Sequence, residues 1–159
     1  MTGAILVVED EPSDTVLMQR AFQKAGVVNP VHVLKDGREA IDYFEGAGRF
    51  ANREEFPLPC LMLLDLKLPY VRGLDVLKWI RQHPEVGMIV LVLSSSAEQK
   101  DVAGAYLLGA NGFLVKPSEF HRLVDMVRAI KDFWLTHNTP PPGISSPTSG
   151  VQSRAAVFG

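Results

Sequence analysis

The sequence predicts an α/β fold, a doubly wound, five-stranded parallel sheet with helices on both faces. Three observations carry that expectation. Five short apolar runs alternate with five segments of helical periodicity, as successive βαβ units do. The runs are apolar at nearly every position instead of every second one, which suits strands buried on both faces. Four of them close on Glu9-Asp10, Asp65, Ser94 and Lys116, at the strand ends where open α/β sheets place ligands.

The first strand, Ala4 to Val8, is rich in β-branched residues and ends at Glu9-Asp10-Glu11-Pro12. Ser13 or Asp14 offers an N-cap for a helix in which Val16, Leu17, Arg20, Ala21 and Lys24 step at helical spacing until Gly26. Val31 to Leu34 is the second strand, and Asp36-Gly37 turns into a helix from Glu39 to Phe44 that Gly46 ends. Gly46 to Pro59, with prolines and glycine among Arg and Glu, reads as an exposed loop. Cys60 to Leu64 is too short for an ordinary helix and forms the central strand, closed by Asp65, with Pro69 and Gly73 punctuating the loop behind it.

Leu74, Val76, Leu77 and Ile80 mark a third helix that stops near His83-Pro84. Met88 to Leu93 is a fourth strand that runs into Ser94-Ser95-Ser96, and Ala97 to Leu108 a weaker helix ended by Gly109. Phe113 to Val115 is the fifth strand, followed by Lys116-Pro117 and a last helix from Ser118-Glu119 to about Leu135. The flavodoxin-like strand order 2-1-3-4-5 is expected. Residues 1–137 are expected to form the folded domain, and residues 138–159, rich in Pro, Gly and Ser, a flexible tail, with no output domain expected.

Composition narrows the function classes. With 47% hydrophobic and 21% charged residues and a net charge of −2, the 159-residue chain can bury one core. That balance gives no electrostatic reason for nucleic-acid or membrane binding. No apolar run approaches the ~18 residues of a membrane span, and the N-terminus has no basic segment before its apolar run. The one cysteine, Cys60, sits inside a strand and excludes a disulfide within the chain. A cytoplasmic protein is expected.

The strand-end residues converge in the expected topology. Clustered carboxylates repel and call for a cation, and oxygen ligands suit Mg²⁺. A hydroxyl and an ammonium opposite them can hold the remaining oxygens of a phosphoryl group. The arrangement fits phosphoryl transfer to a carboxylate, with Asp65 as nucleophile and Lys116 as a point-charge partner.

These residues lie in four segments that together resemble the receiver domain of two-component response regulators: Val8-Glu9-Asp10-Glu11, Leu64-Asp65-Leu66-Lys67-Leu68-Pro69 with Gly73, Leu93-Ser94-Ser95, and Gly112-Phe113-Leu114-Val115-Lys116-Pro117. The resemblance covers roughly residues 4 to 135. It implies that Asp65 is the phosphoacceptor, supplied by a phosphohistidine on a histidine kinase or phosphotransfer protein. It implies a Mg²⁺ site made by Asp10, Asp65 and the main-chain carbonyl of Lys67, with Glu9 reaching the metal through water. Ser94 would bond the phosphoryl oxygen, Lys116 would pair with it, and Phe113 would be the aromatic switch residue that follows Ser94.

Two positions depart from the commonest pattern of the family. Ser94 stands where Thr is frequent, and its neighbour Ser95 offers a second hydroxyl; Glu9 stands where Asp is frequent. The Gly46-to-Phe50 stretch and the ending Phe133-Trp134-Leu135 resemble the stand-alone receivers that partner bacterial phytochrome histidine kinases. A generic phosphorelay shuttle is the alternative. Haloacid-dehalogenase-like phosphohydrolases also combine Asp, Mg²⁺, Ser and Lys, but they need a second Asp two residues after the nucleophile, where this chain has Lys67. The expected role is therefore a signalling domain with slow self-dephosphorylation at most.

The last helix is more apolar than one sheet face requires. Its apolar side chains spread over about 200° of the helical wheel, where a stripe of about 100° suffices. The surplus edge, Met126, Ile130 and Phe133, points to a homodimer on this helix, with a tail from Pro140 to Phe158 folding over that edge as the rival cover.

Overall fold

Strands that are apolar at every position need cover on both faces, and the chain folds accordingly. The computed structural model describes residues 3–142. Its strands β1 (Ala4–Val8), β2 (Val31–Leu34), β3 (Pro59–Leu64), β4 (Ile89–Ser94) and β5 (Gly112–Val115) form one parallel sheet in the order β2-β1-β3-β4-β5. Helices α1 (Pro12–Lys24), α2 (Gly37–Glu45), α3 (Gly73–Arg81), α4 (Gln99–Leu107) and α5 (Phe120–Ile130) connect and cover them. The predicted fold class and strand order are those observed.

Alternation along the strands sorts the core into two layers. Ile5, Val7, Leu61, Leu63, Ile89, Leu91 and Leu93 meet Met18, Ala21 and Phe22 of α1 and Leu123, Val124 and Val127 of α5. Leu6, Val8, Met62, Leu64, Val90 and Val92 meet the α2, α3 and α4 side. Every residue of β1, β3 and β4 is buried, each large side chain contributing roughly 1.5–3 kcal/mol. Cys60 lies in this core as a free thiol that burial pushes up. Among the described residues, no helix is long and apolar enough to cross a membrane.

Local departures from expectation have identifiable causes. Helix α1 begins at Pro12 and not behind a Ser13 or Asp14 cap, because proline's fixed φ suits the first helical position. Its buried stripe is Met18, Ala21 and Phe22, while Val16 and Leu17 are exposed. The connection from Gly46 to Pro59 is not simply an exposed loop. A 3₁₀ turn at Gly48–Phe50 buries Phe50 against Tyr43 and Phe56, and Arg53 donates to the carbonyls of Phe44 and Phe56. Tyr43 Oη donates to the Pro57 carbonyl at 2.7 Å, closing this aromatic knot.

The end of the chain departs from a regular wheel. After Ile130 the helix widens into a π-type turn, Lys131–His137, in which the Asn138 N–H donates to the Phe133 carbonyl at 2.6 Å. A period of 100° fails across that turn. Ile130, three and seven residues after Val127 and Leu123, shares their buried stripe within regular α5 and is core, Met126 is half-buried, and only Phe133 of the expected surplus edge, inside the π-type turn, is exposed, at 53%. The greater part of the expected tail lies outside the described residues, as does its proposed cover of this edge.

The loop that leaves β3 is packed where only glycine fits. A Cβ on Gly73 would meet the Asp65 carbonyl oxygen and lie 2.7 Å from Leu66 Cα, and the Gly73 N–H donates to the Leu66 carbonyl. Gly37, opening α2, is pressed on Val71 of the same loop. Gly73→Ala is therefore expected to lower unfolding stability by about 1–3 kcal/mol through overpacking. Gly104→Ala, inside α4 with Leu74 Cδ1 at an ordinary 3.7 Å, should instead stabilise by about 0.5–1 kcal/mol. Urea unfolding midpoints of the two variants check this, and equal shifts would refute it.

Candidate functional site

Backbone bonds that extend the parallel ladder one residue past the strands gather the strand-end side chains. The Asp65 N–H donates to the Val8 carbonyl at 3.1 Å, the Glu9 N–H to Leu34 at 2.9 Å, and the Lys116 N–H to Ser94 at 2.8 Å. Glu9, Asp65, Ser94 and Lys116 are thereby fixed along one edge of the sheet.

Lys116 Nζ donates to Glu9 Oε2 at 2.9 Å, Asp65 Oδ2 at 3.1 Å and Asp14 Oδ2 at 3.3 Å. The three N–H bonds of an ammonium are thus all occupied by carboxylates. The Lys67 N–H donates to Asp65 Oδ1 at 3.0 Å, so each oxygen of Asp65 has a donor. One carboxylate oxygen from each of Glu9, Asp10 and Asp65 lies within 4.8 Å of the others. Glu9 and Asp65 are nearly buried, whereas Asp10 is exposed. Beneath them lies a cavity of about 50 Å³ with an apolar floor including Val7, Leu63, Leu93 and Met18.

That floor explains the electrostatics. Burial, and then the hydrogen bond and charge of Asp65, push Glu9 up to about 8 against the pull of Lys116. Burial alone would raise Asp65 too, but the bonds from Glu9, the Lys67 N–H and Lys116 outweigh it and hold Asp65 below the ordinary range. Burial would lower Lys116, yet its bonds to Glu9 and Asp65 and their charges raise it. The environment thus favours the charged form of Asp65 and the neutral form of Glu9. A buried carboxyl pair that retains a proton beside a lysine is short of positive charge, so a hard divalent cation fits this donor set.

The remaining expected residues are distributed around this centre. Ser94 is buried, and its Oγ accepts the Ser96 N–H at a long 3.4 Å. Phe113 is half-buried against the layer that includes Val92 and Ala105. The Lys67 side chain is exposed, and its backbone is the part turned to Asp65. Ser95 makes none of the contacts described for Ser94. Asp14 was not among the sequence candidates for this site. One signal was present, namely its place just after the Glu9-Asp10-Glu11 acids at the start of α1, but an acid there is ordinary enough to pass as a helix cap or dipole partner.

A family model described as "Response regulator receiver domain" matches residues 5–128. The probable methanogenesis regulatory protein FilR2 of Methanothrix harundinacea is 38% identical over 141 residues, covering 86% of each chain. Response regulator Rcp1 of Synechocystis is 36% identical, covering 86% of this chain and 92% of its own, and the structure of its Mn²⁺-bound form superposes with a TM-score of 0.77. The structure of phosphorylated RcpA, a cyanobacterial phytochrome response regulator, is 34% identical with a TM-score of 0.81, covering 89% of this chain and 99% of RcpA.

Glu9 makes stability depend on pH in a definite direction. Its folded value, about 8, exceeds the ordinary 4.5, so between these pH values the folded state holds a proton that the unfolded chain has released. Stability contributed by that proton is full below about 4.5 and is lost as pH rises towards 8. Asp65, shifted down, titrates below this window, and Lys116, shifted up, above it. In chelator, urea unfolding should therefore report a loss on the order of 1 to a few kcal/mol between pH 5 and pH 8. Glu9→Gln should flatten the slope, and millimolar Mg²⁺ should restore stability most at pH 8. A pH-independent wild type in chelator would show that the proton is not held there.

Proposed function

The chain belongs to the response regulator receiver domain family, and from that premise we propose that Asp65 is its phosphoacceptor, loaded from the phosphohistidine of a histidine kinase or phosphotransfer protein. The observation that supports the assignment is the position of the Asp65 carboxylate: at the end of the central strand, ionised, with a donor on each oxygen. In the transfer an Asp65 oxygen forms a bond to phosphorus as the phosphorus–nitrogen bond of the phosphohistidine breaks. The electron pair returns to the imidazole. Lys116 neutralises charge on the phosphoryl oxygens, and the Ser94 hydroxyl donates to one of them. Phe113 follows Ser94 and alters the surface between α4 and α5, which changes partner binding.

Glu9, Asp10, Asp65 and the Lys67 carbonyl are the residues that would hold the cation. We take it to be Mg²⁺, which supplies neutralising charge to the transferring group when bound. The Mn²⁺-bound form of Rcp1 supports a divalent ion in such a site. The likeness to RcpA, a phytochrome response regulator, favours a phytochrome kinase as the phosphoryl source, and a general phosphorelay shuttle is the second reading, since FilR2, at comparable likeness, is described as a methanogenesis regulator. The folded receiver spans 1–137, with 138–159 as its tail.

The test of the acceptor is incubation with acetyl phosphate and Mg²⁺. Wild type should gain one acid-stable, base-labile phosphoryl group per chain, and Asp65→Asn should gain none. Incorporation that persists in Asp65→Asn would sink the assignment.

A homodimer through the C-terminal helix also belongs to this reading. Phe133 stands exposed beside a groove formed with Tyr106, Phe113, Met126 and Trp134. Phe133 fills such a groove on a second copy through a two-fold contact. Sedimentation should show a dimer at tens of micromolar and a monomer for Phe133→Asp. A monomeric wild type would remove the dimer, and a dimeric Phe133→Asp would move the contact elsewhere.

A further inference from the structure

Lys116 has one partner that the phosphoacceptor reading does not use. Asp14 Oδ2 takes the third ammonium bond at 3.3 Å, from the first turn of α1, while Glu9 and Asp65 take the other two. We propose that Asp14 is a positioning residue that holds Lys116 towards α1 in the resting state and competes with the phosphoryl group for it. The proposal rests on Asp65 being the acceptor, because only then does an anion arrive that needs the ammonium.

The geometry gives the competition its direction. Lys116 is 18% exposed and cannot turn freely to water, so any new bond must replace one of the three it has. Glu9 and Asp65 are nearly buried and lose more by giving up their partner. The Asp14 side chain is 43% exposed, its bond is the longest of the three, and water can solvate it once released. Asp14 is thus the partner that yields when Asp65 is loaded. Until it yields, it draws the ammonium away from the place the phosphoryl oxygens occupy. The cost is small, because a half-exposed ion pair is well screened. Its effect falls on the equilibrium between the resting and loaded states and not on the fold.

Neutralising Asp14 should therefore favour the loaded state. Beryllofluoride with Mg²⁺ serves as the phosphoryl analogue, titrated by tryptophan fluorescence or calorimetry. Asp14→Asn, which keeps the shape and removes the charge, should bind it about threefold tighter, the effect expected when a half-exposed ion pair no longer competes. Asp14→Glu, which keeps the charge on a longer arm, should return towards wild type. Glu11→Gln removes an exposed charge one residue ahead of α1, where the carboxylate is bonded to Ser13 Oγ and not to Lys116, and should leave affinity unchanged. Unchanged or weaker binding in Asp14→Asn overturns the proposal, as does an equal gain in Glu11→Gln, which would reduce the effect to general charge. Failure of wild type to bind the analogue in an Asp65-dependent manner would instead strike at the acceptor reading itself.

Discussion

One ammonium organises the functional edge of this protein. Lys116 brings together carboxylates from the end of β1, the end of β3 and the start of α1, with Glu9, Asp65 and Asp14 lying 107, 51 and 102 residues before it in the chain. Such a cluster would repel itself without that charge, and one ammonium does not balance it. Burial and the neighbouring Asp65 push Glu9 up, while the bonds from Glu9, the Lys67 N–H and Lys116 hold Asp65 down. A site short of positive charge over an apolar floor is prepared to take up a cation.

The sheet makes this cluster possible by supplying rigid, nearly dry ends. All of β1, β3 and β4 are buried, and the ladder bonds of Asp65, Glu9 and Lys116 carry strand order one residue beyond the strands. Gly73 and Gly37 then let the loop behind Asp65 fold tightly against its own strand end. Packing thus sets the backbone, the backbone aims the carboxylates, and the low-dielectric floor sets their protonation.

Much of this was legible in the residues. Largely apolar runs of three to six residues marked the strands, and because a parallel sheet puts every strand's carboxyl end on one edge, the residues after Val8, Leu64, Leu93 and Val115 had to converge. Less legible was whatever depends on side-chain direction or on non-standard backbone. Asp14 looked like an ordinary cap, and only the placement of α1 from Pro12 turns it to Lys116. Phe50 lay in a stretch rich in Gly, Pro and charge, and its burial depends on Tyr43 and Phe56, partners too scattered to form a period. Ile130 was assigned to a surplus edge because one sheet face was allotted a stripe of about 100°, whereas the core takes up Leu123, Val124, Val127 and Ile130 together.

The distance between the charged edge and the α4–α5 groove is short in structural terms. Ser94 pairs with Val115 in the β4–β5 register, and the Lys116 N–H is bonded to the Ser94 carbonyl, so the hydroxyl and the ammonium sit on adjoining backbone. Two residues before Val115 on β5 is Phe113, which packs on the core and also lines the groove with Met126 and Phe133. Under the proposed reading, a new anion on Asp65 recruits Ser94 and Lys116 together, at the end of β4 and just beyond the end of its neighbour β5. Phe113 has only a half-buried seat to leave or to fill. Coupling of this kind requires a discrete two-state element and not a long relay, and under the proposed reading Phe113, a single aromatic ring between a packed core and an open groove, would be that element.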